Sequence, residues 1–239
     1  MSTSSKVAII TGASQGIGAG LVSAYRAQGY NVVASSRSIT QTDDPQVVAV
    51  AGDIADPATA ARVVATALEK FGRIDTVINN AGVFVSKPFT EYTVEDFERL
   101  QAVNVGGFFH LTQRAAAVML EAGSGHIATI TTSLVEQPDT AVPAGLASLT
   151  KGGLQAATQA LAIEFAARGV RVNAVSPGYI KTAINPEKTH ATLAGKHPLL
   201  RMGEVSDVVA AVMYLESADF ITGEIIHVDG GQTVGRQAA

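Results

Sequence analysis

The stretch that decides the fold is VAIITGASQGIG, residues 7–18 of the chain. An apolar run of strand length, residues 7–10, leads into Thr11-Gly12, and an apolar helical pattern begins at Ile17. Glycines in such a loop let the backbone turn sharply and approach a ligand closely. The N-terminus of the following helix offers free N–H groups and a partial positive charge. The stretch therefore predicts a strand–loop–helix unit that can hold a phosphate group.

The alternation of strand and helix continues along the rest of the chain. Apolar runs of strand length lie at residues 7–10, 32–34, 47–51, 76–78, 127–131, 170–175 and 224–228. Helical patterns cover residues 17–28, 57–70, 94–120, 146–167, 186–194 and 206–215. Strict alternation predicts a parallel sheet with helices on both faces, and continuous apolar strands fit a sheet buried on both sides. We predict an α/β fold, a single doubly wound Rossmann-type domain over residues 1–239, with about seven strands and a substrate-loop insertion at residues 181–200.

Composition narrows the class of function. The 239 residues are 47% hydrophobic and 16% charged, with a net charge of -4, which argues against intrinsic disorder and against electrostatic binding of nucleic acid or anionic membranes. The absence of cysteine excludes disulfides, zinc–thiolate sites and cysteine nucleophiles, and the five histidines show no metal-ligand spacing. There is no apolar run of membrane-spanning length and no signal-peptide pattern in the sequence. We expect a cytoplasmic protein with a small-molecule substrate and without metal, nucleic acid or membrane partners.

Five motifs in chain order resemble those of the short-chain dehydrogenase/reductase family. They are the loop at residues 11–18, Asp53-Ile54, Asn79-Asn80-Ala81-Gly82, Pro177-Gly178 and Val228-Asp229-Gly230-Gly231. The first loop has the spacing Gly-x-x-x-Gly-x-Gly and lacks the Gly-Lys-Ser/Thr of a nucleotide-triphosphate loop. The resemblance spans nearly the whole chain. It implies an oxidoreductase that transfers hydride between a nicotinamide cofactor and a small molecule.

The end of the second predicted strand bears on the choice of cofactor. The chain has Ser35-Ser36-Arg37 there and no acidic residue, so a guanidinium is available for a 2′-phosphate and no carboxylate repels it. This pattern predicts NADP(H), although Arg37 on its own also fits a solvated surface residue. The resemblance implies that Asp53 and Ile54 hold the adenine and that Thr182 binds the nicotinamide carboxamide. The predicted cofactor-binding residues are Gly12, Ser14, Gln15, Gly16, Ile17, Gly18, Ser36, Arg37, Asp53, Ile54, Asn80, Ala81, Gly82, Lys151, Pro177, Gly178, Ile180 and Thr182.

The predicted catalytic helix departs from the family pattern at one position. The resemblance implies a Tyr-x-x-x-Lys sequence, in which the Tyr donates the proton that carbonyl reduction needs and the Lys lies one turn along on the same face. Lys151 matches the Lys, but Ala147 stands where the Tyr should be, and alanine cannot donate a proton. Asn104 matches the family's helix Asn, and the strand-end hydroxyl is either Thr132 or Ser133. The predicted catalytic residues are Asn104, Thr132, Ser133 and Lys151.

Several substitutes for the missing Tyr remain open at this point. One candidate is Tyr179, whose simpler interpretation is a packing residue. Two others are Glu136 and Asp139, which lie on the loop after the fifth predicted strand and whose simpler interpretation is surface charge. A protonated imine carries its own proton, so its reduction should suffer much less than the loss of about 10²–10⁴-fold expected for a carbonyl without its acid.

The predicted function is therefore NADP(H)-dependent reduction of a C=O or C=N bond with a non-standard proton donor, and imine reduction is compatible with it. The alternative is a catalytically weakened relative that binds NADP(H) as a sensor or structural subunit. The long apolar helices at residues 103–120 and 154–165 suit the homotetramer or homodimer that the resemblance implies.

Overall fold

The structure is a computed structural model that describes residues 5–235. Residues 1–4 and 236–239 lie outside the described residues. The two ends of the predicted 1–239 domain therefore lie outside the described residues. The same holds for the start of the N-terminal stretch, in which the sequence shows no signal-peptide pattern.

Seven strands form one parallel sheet. They are β1 Val7–Thr11, β2 Asn31–Ser36, β3 Val47–Ala51, β4 Thr76–Asn79, β5 Gly125–Ile130, β6 Val170–Pro177 and β7 Ile225–Val228. Their spatial order is β3-β2-β1-β4-β5-β6-β7, and every neighbouring pair is parallel. The order changes direction between β1 and β4, where open α/β sheets bind their ligands. The prediction of a doubly wound, Rossmann-type sheet of about seven strands is confirmed.

Helices cover both faces of this sheet. They are α1 Gly16–Ala27, α2 Pro57–Phe71, α3 Val94–Leu100, α4 Gly107–Ala122, α5 Gly145–Ala166, α6 His190–Ala194 and α7 Val205–Ser217. The apolar faces of α2, α4 and α5 pack in one core layer, and those of α1 and α7 pack in the other. Within residues 5–235, no helix is long and apolar enough to cross a membrane.

The predicted helix over residues 94–120 is interrupted. A π-helical segment, Gln101–Gly106, separates α3 from α4. Asn104 lies buried in this segment, and both polar atoms of its amide bond the backbone of Val83. Such wide turns occur mostly as single insertions near functional sites. The predicted helix over 186–194 is likewise divided, into a 3₁₀ turn, Glu187–Thr189, and α6.

Candidate active site

The loop between β1 and α1 has a backbone that only glycine fits. Gly12 and Gly16 have φ values of 63° and 53°, in the left-handed region that side chains rarely adopt. A Cβ on Gly18 would lie 2.2 Å from the carbonyl oxygen of Gly12. Asn80 Nδ2 holds the loop by donating a hydrogen bond to the carbonyl oxygen of Thr11 at 2.8 Å. The β1–α1 loop is therefore a tightly closed turn anchored to the end of β4.

The N-terminus of α1 is open to a ligand. No side chain caps this helix end, where Gln15 is the N-cap residue, and its first turn carries no acidic residue. Unsatisfied N–H groups and the positive end of the helix dipole favour an anion at this place.

A cleft of about 400 Å³ runs from this helix end along the carboxyl ends of the central strands. Most of the predicted cofactor residues line it, and they come from separate loops of the chain. They are Gly12, Ser14, Gln15, Gly16, Ile17, Ser36, Arg37, Asp53, Ile54, Asn80, Ala81, Gly82 and Thr182. Gly18 does not line the cleft, because it is buried beneath the carbonyl of Gly12.

Ser36 and Arg37 lie at the far end of the cleft, away from the start of α1. The Ser36 Oγ is buried and has no hydrogen-bond partner among the described residues. Arg37 next to it is exposed and forms no ion pair within residues 5–235. Asp53 follows the adjacent strand β3, whose Ala51 pairs with Ser36, and its exposed carboxylate accepts the N–H of Ala55 at 3.0 Å. A buried polar atom is normally paired, so Ser36 fits a hydrogen-bonding ligand at this end.

A second cavity of about 170 Å³ continues the cleft toward α5. Thr132, Ser133 and Lys151, together with Ala147, line it. Four predicted cofactor residues lie here rather than in the larger cleft, namely Lys151, Pro177, Gly178 and Ile180. The two cavities share the residues Ile17, Asn80, Gly82, Val83, Thr182 and Ile184. They form one continuous trough, with Ser36 and Arg37 toward one end, the predicted phosphate loop in the middle, and Thr132, Ser133 and Lys151 toward the other end.

Lys151 brings a cationic side chain to the inner end of the trough. Its Nζ donates a hydrogen bond to the carbonyl oxygen of Ile130 at 2.6 Å, and a Cβ on Gly82 would lie 3.2 Å from it. Burial lowers the pKa of Lys151 to about 8. A space of about 10 Å³ lies between Lys151 and Asn104, which is about the room that one water molecule needs. The amine can therefore change its protonation state near neutral pH.

Asn104 fixes the walls around this lysine. Its Nδ2 donates to the carbonyl oxygen of Val83 and to the hydroxyl of Thr150, both at 3.1 Å. Its Oδ1 accepts the N–H of Val83 at 2.9 Å. The side chain thereby ties the π-helical segment to α5 and to the loop after β4.

The two strand-end hydroxyls differ in their partners. Ser133 is buried and donates its hydroxyl hydrogen to Gln232 Oε1 at 3.1 Å. Thr132 is half-buried, and its oxygen accepts the N–H of Leu134 at 3.4 Å. Thr132 therefore keeps a hydroxyl hydrogen for a ligand, whereas that of Ser133 is used. Sequence reasoning missed Gln232, although this residue directly follows the glycine pair of the last motif.

The other candidate proton donors have structural partners. Tyr179 lines the second cavity, but it is buried in an apolar cluster and its hydroxyl donates to Asp139 Oδ2 at 3.4 Å. Asp139 also pairs with Lys196 at 3.0 Å. Glu136 accepts a hydrogen bond from Gln155 Nε2 at 2.6 Å. Neither carboxylate lines the second cavity. The geometry agrees with Tyr179 as a packing residue and with the exposed Glu136 as a surface charge, but Asp139 is buried, so its interpretation as a surface charge is wrong.

Comparison with known proteins places this chain in a family. A family model described as enoyl-(acyl carrier protein) reductase matches residues 12–233. An uncharacterized oxidoreductase of Methylorubrum extorquens is 36% identical over 245 residues, which cover 95% of this chain and 97% of the relative. The chain belongs to the short-chain dehydrogenase/reductase family of oxidoreductases.

Solved structures agree with this assignment. A 3-ketoacyl-(acyl-carrier-protein) reductase from Brucella melitensis, complexed with NADH, is similar with a TM-score of 0.89 and 30% identity, over 95% of this chain and 98% of that one. The protein ElxO with NADP bound is similar with a TM-score of 0.90 and 26% identity, over 97% of this chain and 100% of that one.

Proposed function

We propose that the chain is an NADP(H)-dependent reductase that transfers hydride to the carbonyl carbon of a small, largely apolar substrate. The observation that carries this proposal is the continuous trough, in which the cofactor-sized cleft opens into the cavity of Lys151. When bound, the nicotinamide supplies the hydride. The similar structures with NADH and with NADP support a cofactor of this class. We also propose that residues 1–239 act as one domain and that the protein works in the cytoplasm.

The residues of the cleft suit the parts of this cofactor. The β1–α1 loop, with Gly12, Ser14, Gln15, Gly16, Ile17 and Gly18, would hold the pyrophosphate at the open helix end. Ser36 and Arg37 would hold the 2′-phosphate, because a guanidinium binds phosphate in a charge-assisted, bidentate manner. Asp53 and Ile54 would hold the adenine.

The inner part of the trough would receive the nicotinamide. Thr182 would hold the carboxamide and Lys151 the ribose, between walls formed by Asn80, Ala81, Gly82, Pro177, Gly178 and Ile180. This placement would direct the nicotinamide toward the second cavity.

We further infer that Ala147 occupies the place of the family's Tyr. It precedes Lys151 by four residues on α5 and lines the same cavity. The second cavity is lined by Lys151 and, within the described part of the chain, by no carboxylate. A protonated imine would thus lie beside an ammonium without a counter-ion, which favours C=O over C=N as the reduced bond. The absence of a phenol at Ala147 keeps C=N reduction as the second candidate.

The test is NADPH oxidation with a panel of small ketones and cyclic imines across pH, beside NADPH binding measured by calorimetry. We expect ketones to be turned over faster than imines. Tight NADPH binding without turnover of either class would contradict the proposal. That result would support the alternative, an NADP(H)-binding sensor or structural subunit.

A further inference from the structure

We propose that Lys151 Nζ itself gives the proton to the substrate oxygen, acting as the general acid in place of the missing phenol. This inference rests on the proposed carbonyl reduction and names its proton donor. In the family resemblance the lysine only assists a tyrosine, so this is a changed role for the same position.

The first argument is the space at Ala147. This residue and Lys151 are one turn apart on α5 and line one cavity. Ala147 is 1% exposed and forms part of the wall, and the cavity of about 170 Å³ that it lines with Lys151 has room for a small molecule. A small carbonyl compound can therefore bring its oxygen close to Nζ. An ammonium carries three N–H donors, and the carbonyl oxygen of Ile130 accepts one of them.

The second argument is the elimination of other acids. Among the described residues, the ionisable side chains that line the second cavity are Lys151 and Tyr179. The Tyr179 hydroxyl donates to Asp139, whose carboxylate also pairs with Lys196. A hydroxyl such as that of Thr132 can donate a hydrogen bond, but it is far too weak an acid to transfer its proton.

The third argument is the surroundings of the amine. Three groups lie beside this amine, namely the carbonyl of Ile130 on β5, the backbone of Gly82 after β4 and the amide of Asn104 on the π-helical segment. None of these can be charged, and burial lowers the pKa of Lys151 to about 8. An acid works best when its pKa lies near the working pH, which this environment achieves.

The proposed step balances in atoms and electrons. The carbonyl carbon receives hydride, and its π electrons move to the oxygen. That oxygen takes a proton from Lys151 Nζ, which becomes a neutral amine. The amine then regains a proton from water, for which the space of about 10 Å³ beside it offers room. The net change is a two-electron reduction of the carbonyl with one proton from solvent.

The test compares two substrates in the wild type and in Lys151→Met, at saturating NADPH. A ketone needs the proton, whereas an N-alkylated cyclic iminium ion needs none. Both substrates lose the ribose contact of Lys151 in this variant, so we expect ketone turnover to fall by about 10²–10⁴-fold more than iminium turnover. Equal losses for both substrates, or no loss for the ketone, would overturn the inference. Failure of the wild type on ketones, in contrast, would contradict the proposed function itself.

Two measurements on the wild type need no variant that could fail to fold. Ketone turnover should fall about tenfold per pH unit above the pKa of Lys151, while iminium turnover should not. Nuclear magnetic resonance of lysine side chains in the unliganded protein should show one lysine that titrates near 8. A ketone profile without this inflection, or a Lys151 that stays charged above pH 10, would refute the proposal.

Discussion

Ser36 and Arg37, at the end of β2, determine the cofactor preference in the proposed function. Ser36 brings a buried, unpartnered hydroxyl oxygen, and Arg37 brings an exposed guanidinium to the same end of the cleft. The similar solved structures hold NADH in one case and NADP in another, so family membership alone leaves the choice open. We propose that the preference comes from these two side chains.

The Arg37→Ala variant should bind NADPH more weakly by about 10–100-fold, because hydrogen bonds to a charged group contribute about 1.5–3 kcal/mol. NADH has no 2′-phosphate, so its dissociation constant should change little. Calorimetric titration with both cofactors measures this difference. Arg99→Ala is a matched control, since Arg99 is exposed and lines neither the cleft nor the second cavity. An equal loss for the two cofactors would refute the role of Arg37.

Substitution of Thr132 and of Ser133 should have different effects on kinetics and on stability. Thr132→Val removes the hydroxyl hydrogen that is available to a substrate oxygen, so kcat/KM for a ketone should fall by about tenfold, the usual value of one hydrogen bond. Ser133→Ala removes a bond to Gln232 and should lower thermal stability more than kcat/KM. Steady-state kinetics and thermal unfolding of both variants would show the reverse pattern if Ser133 held the substrate.

At the scale of the element, the carboxylate of Glu216 links α7 to the sheet through hydrogen bonds. Glu216 accepts hydrogen bonds from Tyr25 and Tyr30 at 2.9 Å, from Thr76 at 3.0 Å and from His126 Nδ1 at 2.8 Å. Burial opposes its ionisation, but the bonds from His126 and the two tyrosines outweigh it and lower the pKa of Glu216 to about 2. These bonds join α7 to α1, to the start of β2, to β4 and to β5.

The Glu216→Gln variant should lose about 1–3 kcal/mol in the free energy of unfolding at pH 7, because buried donors lose a charged acceptor. The folded-state pKa of Glu216 lies below its ordinary value of 4.5. Its contribution is therefore fully present above pH 4.5 and is lost as the pH falls toward 2. Urea unfolding at several pH values should show the difference between wild type and variant shrinking over that range.

Glu69→Gln, on the exposed side of α2, is the control for this change and should leave the free energy of unfolding nearly the same. A gap between wild type and Glu216→Gln that persists at pH 2 would show that the carboxylate charge is not the cause.

At the scale of the whole molecule, α5 presents an uncovered apolar stripe. Exposed residues recur on one side of this 22-residue helix at spacings of three and four. They are Leu149, Gly153, Ala156, Ala160 and Ile163. Ile163 is 82% exposed, and Phe109 on the neighbouring α4 is 52% exposed. Contiguous apolar surface of this kind marks protein–protein contact, so we propose a homotetramer or homodimer that uses this side of α5.

The Ile163→Asp variant should shift the protein toward smaller species, because a desolvated carboxylate would face apolar surface in the assembly. Light scattering after size exclusion should give a mass above that of one chain for the wild type and a lower mass for the variant. Ala65→Asp adds the same charge on the exposed side of α2 and should leave the mass unchanged. A monomeric wild type would disprove the proposed assembly.

The sequence by itself determined the architecture of this protein. Each signal was local: an apolar run of strand length, the glycine loop at residues 11–18, and Pro57 and Gly72 at the two ends of α2. Because helices and strands differ in period and in their end residues, such signals suffice for the order of elements and for the carboxyl edge where the cleft lies. The family resemblance, in addition to these local signals, indicated most of the residues that line the cleft.

Only the tertiary structure decided how the inner site is arranged. The bond from Ser133 to Gln232 joins residues 99 positions apart, and it distinguishes the two strand-end hydroxyls. The link from Tyr179 to Asp139 spans 40 positions. The burial that lowers the pKa of Lys151 arises from the packing of α5 against the sheet and the π-helical segment. Hydrogen-bond partners and desolvation depend on which distant segments meet, and local periodicity carries no information about that.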